Sequence, residues 1–113
     1  MNVEERCIGV PHTPEVRSLV RTVFERGLDR IASHVDHVQV RLFSVRDGVE
    51  CRAVLRPHCG ATLAIIETRP SAIEALMASA NVLARELERQ YLSHSRRSRR
   101  QRVSRRRRAK LAA

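Results

Sequence analysis

The chain has 113 residues, 42% of them hydrophobic and 3% aromatic, with a formal net charge of +10. Two Phe, one Tyr and no Trp argue against an RNA platform that stacks bases on exposed rings of a sheet, and leave contacts to phosphate and to nucleic-acid shape. No run approaches the ~18 apolar residues of a membrane span, and the first six residues, Met1 to Arg6, contain no apolar leader. The charge is unevenly spread. From Arg89 to the end there are ten arginines, one lysine and no acid, whereas residues 1–88 hold eleven arginines against twelve acids. A near-neutral body therefore carries a dense cationic arm, which needs an anionic partner or stays solvated.

The first element is a weak strand at residues 3–8, sparse in apolar residues as suits a sheet edge. Gly9 and Pro11 break it. Thr13 and Pro14 then form a helix start, the threonine capping free N–H groups and the proline sitting where no N–H is needed. Val16, Leu19, Val20, Val23, Phe24, Leu28 and Ile31 recur at helical spacing. Gly27 falls in this stripe, a position that costs ~1 kcal/mol relative to alanine and suggests close approach to a sheet. Arg17, Arg21 and Glu25 take the opposite face, with Arg21 and Glu25 spaced as an i,i+4 pair.

Val38, Val40 and Leu42 alternate with Gln39 and Arg41, the pattern of a half-buried strand. Asp47-Gly48 marks a turn. Cys51, Ala53 and Leu55 alternate with Arg52, Val54 and Arg56 in a third strand. Residues 57–60 turn again and residues 61–68 form a fourth strand. Pro70 opens a second helix over residues 72–91, with Ile73, Leu76, Ala80, Leu83 and Leu87 on one face. The order β-α-β-β-β-α places the chain in the α/β class as an α+β two-layer fold, two helices on one face of a four-stranded sheet. Residues 1–92 make the domain and residues 93–113 an Arg-rich tail, disordered when free because like charges repel and apolar residues are missing.

This order of elements, with the stretch Thr13-Pro14-Glu15-Val16-Arg17, the strand Val38-Gln39-Val40-Arg41-Leu42, the hairpin strand at residues 51–56, and Ala72-Ile73-Glu74 with Leu83-Ala84-Arg85-Glu86-Leu87, resembles the bacterial ribosome hibernation-promoting factor family, which includes the ribosome-associated inhibitor of translation. The resemblance covers about residues 1–92 and involves no catalytic signature. It implies a short, divergent member that docks on small-subunit rRNA in the channel for mRNA and tRNA and idles the ribosome. The long form's dimerising C-terminal domain has no counterpart here. Arg17, Arg85 and Arg89 match basic positions of the family. Val23 and Val82 stand where its helices usually carry a lysine, and Arg69-Pro70-Ser71 replaces an acidic-aromatic lead into the second helix.

The expected RNA-binding residues are Arg17, Arg21, Arg85 and Arg89 on the helices and Arg96, Arg97, Arg99, Arg100, Arg102, Arg105, Arg106, Arg107, Arg108 and Lys110 in the tail. Ten basic residues in fifteen positions exceed an incidental solvated tail and favour nucleic acid over lipid. Arginine suits phosphate because its planar fork binds two oxygens at once. The helix arginines read equally as an ordinary solvated surface. Cys51, His58, Cys59 and His12 lack the spacing of a zinc ribbon or finger, so buried free thiols are expected and no metal or cofactor. His34 and His37 flank Asp36 in what reads as a loop, without a nucleophile to serve. Three cysteines without a leader indicate reduced thiols and a cytoplasmic protein. The expected partners are the ribosome, through small-subunit rRNA, and other RNA, with no membrane and no small-molecule substrate. The competing reading is a general nucleic-acid or assembly protein that keeps the fold and works through its tail.

Overall fold

The structure is a computed structural model that describes residues 1–10 and 13–91. Its elements are β1 (Asn2–Ile8), α1 (Pro14–Gly27), a 3-10 helix (Asp29–His34), β2 (Val35–Val45), β3 (Gly48–Pro57), β4 (Leu63–Arg69) and α2 (72–91). The sheet order is β1-β2-β3-β4. β1 and β2 run parallel, and the two later pairings are antiparallel. A parallel pair cannot be joined by a tight turn, so the first helix is its crossover. The antiparallel pairs need only short connections. Thus β1 is an edge strand, as its sparse apolar content suggests, and β4 is the other edge.

Alternation along each strand divides the sheet into two faces. Val3, Val38, Val40, Leu42, Cys51, Ala53 and Leu55 are buried, and they meet Val20, Phe24 and Leu28 of the first helical segment and Leu76, Ala80, Leu83 and Leu87 of α2. Among the described residues this single two-layer core contains one buried polar residue, Ser79, whose hydroxyl donates to the Ala75 carbonyl at 2.8 Å. The residues between them in sequence face away from the helices. None of the described helices is long and apolar enough to cross a membrane.

The helix starts follow their capping chemistry. Thr13 Oγ1 accepts the Val16 N–H at 3.3 Å and Pro14 occupies the first turn of α1. At α2 the cap is Ser71 rather than Pro70. Its hydroxyl accepts the Glu74 N–H at 3.3 Å and donates to the Glu74 carboxylate at 3.1 Å, so Pro70 lies outside the helix.

Four further expectations are corrected. The apolar stripe from Val16 to Ile31 is not one helix: α1 stops at Gly27, and Ile31 is buried from the 3-10 segment. Gly27 is close to α2 rather than to the sheet, since a Cβ there would sit 2.8 Å from Ala80 Cβ. A larger residue at either position would overpack this crossing, at a cost of ~1–3 kcal/mol. Ile73 does not share the buried face of α2 and is 46% exposed. Asp36 and His37 belong to β2 instead of a loop, while His34 closes the 3-10 segment and packs on Tyr91, the rings tilted by 36° with centroids 4.5 Å apart. That contact holds Tyr91 of α2 against the 3-10 segment.

Candidate nucleic-acid interface

The four helix arginines are all exposed, but they differ in what surrounds them. Arg17 and Arg21 are one turn apart on α1, and both reach Glu5 of β1. Arg17 Nε lies 3.5 Å from one carboxylate oxygen, and Arg21 Nε lies 3.9 Å from the other. The Glu5 side chain is 7% exposed, and its Oε2 accepts no hydrogen bond. A carboxylate removed from water in this way needs counter-charge. The two arginines supply it and so present less net charge to a ligand than their number suggests. Arg21 therefore turns towards Glu5 instead of pairing with Glu25 along its own helix.

On α2, Ile73, Met77, Asn81, Arg85 and Arg89 follow one another at i+4 spacing and are all exposed. Arg85 and Arg89 are thus one turn apart at the end from which the tail departs. Arg89 pairs with Glu86 at 3.1 Å, a solvent-exposed contact that a phosphate can replace at little cost. Arg30 and Glu88, 3.5 Å apart, tie the 3-10 segment to this same end. Val23 is half-buried against the core and Val82 is half-buried in α2. The tail residues Arg96 to Lys110, and His12, lie outside the described residues.

A second group of arginines was not singled out from the sequence. On the face of the sheet turned away from the helices, Arg6, Arg41 and Arg52 are direct neighbours on three successive strands. Arg56 is on the same face. The strand alternation contained the signal, since Arg41, Arg52 and Arg56 occupy outward positions between buried ones and Arg6 an exposed position between two half-buried ones. Register, which makes them neighbours, is a tertiary property.

The Cys51 and Cys7 thiols are poorly suited to chemistry. Burial pushes the Cys51 thiol up, against a smaller opposing effect of a hydrogen bond with Ser79, and Cys7 is raised by burial and by Glu5. Both therefore stay protonated at neutral pH, the unreactive form. Cys59 is exposed rather than buried, and Cys51 lies inside the core. No three His, Cys, Asp or Glu side chains gather to hold a metal ion among the described residues.

No protein-family model matches the sequence, and no curated protein matches it either. Solved structures do share the fold. A ribosomal subunit interface protein from Coxiella burnetii superposes with a TM-score of 0.69 at 15% identity, over 81% of this chain and 99% of that one. The N-terminal domain of Thermus thermophilus Protein Y gives a TM-score of 0.63 at 13% identity, over 78% and 93% of the two chains. The architecture is thus shared with both structures, over almost the whole of each matched chain.

If Glu5 restrains the α1 arginines, Glu5→Gln should release them. RNA affinity should rise about fivefold at 0.1 M salt, and the log–log salt dependence should steepen by ~0.7, the equivalent of one more phosphate contact on a single strand. Fluorescence anisotropy across a salt series measures both. An unchanged slope would mean that Arg17 and Arg21 are away from the RNA.

Proposed function

We propose that this chain is a ribosome-binding translation repressor of the hibernation-factor type, which docks on small-subunit rRNA in the mRNA and tRNA channel. The observation that carries the reading is the match of one compact fold to nearly the full length of a ribosomal subunit interface protein, on a chain whose C-terminal segment concentrates eleven positive charges. In this reading residues 1–92 are the docking domain. Arg85 and Arg89, with Arg17 and Arg21 in a lesser role, contact rRNA phosphates. Residues 93–113 are a cationic arm that raises the encounter rate and anchors the complex. No catalytic step is assigned, and the protonated Cys7 and Cys51 thiols agree with a binding role.

A second reading, a general RNA-binding or assembly protein, draws on one specific feature. The body is near neutral, and Glu5 offsets part of the charge of α1. In that case the tail alone would bind, without preference for a shaped site.

Translation in a purified cell-free system separates the two. A hibernation factor in modest excess over ribosomes should stop peptide synthesis, and added tRNA should relieve the block because both need the same channel. A general RNA binder should inhibit only as it coats the template, so that extra mRNA rather than tRNA restores synthesis.

A further inference from the structure

The face of the sheet opposite the helices has no element packed on it among the described residues. In register across it stand Asn2, His37 and Arg56; then Glu4, Gln39, Val54 and Ala64; then Arg6, Arg41, Arg52 and Ile66; then Ile8, Phe43, Glu50 and Thr68. The third row places three guanidinium groups on adjacent strands. Strands are about 4.8 Å apart, and like charges directly opposite one another destabilise a sheet. Among the described residues the local acids relieve this repulsion at Arg52 and not at Arg6 or Arg41. Glu50 pairs with Arg52 at 2.8 Å, and Glu4 is engaged by His37 at 3.4 Å. Arg6, Arg41 and Arg56 have no ion pair or hydrogen bond through their side chains among the described residues. Arg52 is fixed in place by Glu50 and by the Phe43 ring, whose centroid is 4.6 Å from the guanidinium carbon.

We infer that this open sheet face is a second RNA-binding surface, on which Arg6, Arg41 and Arg52 hold the phosphate backbone of one RNA strand. The inference rests on the RNA-binding reading above and extends it to the opposite side of the molecule. The charge row specifies the occupant. A phosphodiester chain supplies repeated anions that can lie across neighbouring strands, and each guanidinium can present two donors to a phosphate. Phosphate binding also converts the repulsion of the row into attraction. Phe43 is already covered by Arg52 and His37 is engaged by Glu4, so the surface grips backbone rather than stacking bases. With the helix arginines on one side and this row on the other, the domain can sit between two RNA segments.

The test uses the full chain, a 20-nucleotide single-stranded RNA, and the pair Arg6→Gln/Arg41→Gln. Arg52 stays in place because it has partners of its own. Loss of two phosphate contacts should reduce the log–log salt slope by about 1.4 and weaken binding roughly tenfold to thirtyfold at 0.1 M salt. The melting temperature should hold or rise, because like charges have been removed from facing positions. Arg6→Lys/Arg41→Lys should recover most of the slope. An unchanged slope and affinity in the Gln pair, with the unmodified chain binding normally, would overturn the sheet surface alone. Failure of the unmodified chain to bind would remove the RNA reading and this surface with it. A lowered melting temperature, with binding no better in the Lys pair than in the Gln pair, would also overturn it by making these arginines structural.

Discussion

Truncation after Ser93 should weaken binding to a single-stranded RNA by about three to four orders of magnitude at 0.1 M salt. The cut removes nine arginines and one lysine. If ~6 of these ten cations neutralise phosphates, each contributes about −0.7 to the log–log salt slope, and the full tail about −4. The truncated chain should lose most of that slope. Its melting temperature should stay within a few degrees, because Leu87 is the last buried residue among the described ones and surface changes away from a core usually cost under ~0.5 kcal/mol. Salt-dependent anisotropy and thermal circular dichroism on the same preparation give both values. A collapse of the dichroism signal would make the tail part of the fold. An unaltered slope would make it irrelevant to binding.

The second large effect concerns the helix pair. Arg85→Ala/Arg89→Ala should weaken binding to intact ribosomes about a hundredfold or more, since each hydrogen bond between charged partners in a fixed site contributes roughly 1.5–3 kcal/mol. On unstructured RNA the same change should cost no more than about tenfold, the effect of two charges in a salt-screened contact. The ratio between the two losses is informative. A shaped site depends on the position of the guanidinium groups, whereas a flexible strand responds only to their charge. Equal losses on both targets would favour the general RNA binder.

Much of the fold was legible in the sequence because the signals were local. Alternation in Val38 to Leu42 and in Cys51 to Leu55 marked the two central strands, Thr13-Pro14 marked the first helix, and Asp47-Gly48 marked the hairpin. What local pattern could not give was pairing. Gly27 signals a close approach, but only the packing of α1 on α2 identifies Ala80 as the neighbour. The i+3 and i+4 spacing also carries across the break at Leu28, because a 3-10 segment can bury Ile31 on the same side as the helix before it. His37 reads as a loop residue until β2 is seen to begin at Val35.

The candidate site was less legible for the same reason. Exposure of Arg17, Arg21, Arg85 and Arg89 followed from helical periodicity. The hold of Glu5 on Arg17 and Arg21 did not, since β1 lies more than ten positions earlier in the chain. The row of Arg6, Arg41 and Arg52 joins three strands, and it becomes a row only when register is fixed. Ionic partners and charge rows depend on tertiary contacts, so composition and spacing reveal the amount of charge but not its arrangement.

Sedimentation of the full chain with purified small subunits, large subunits and intact ribosomes tests the central proposal most directly. The chain should pellet with small subunits and intact ribosomes near one copy per particle, at a salt concentration where binding to free single-stranded RNA has already been lost. Pelleting with the large subunit alone, or with neither subunit, would contradict it.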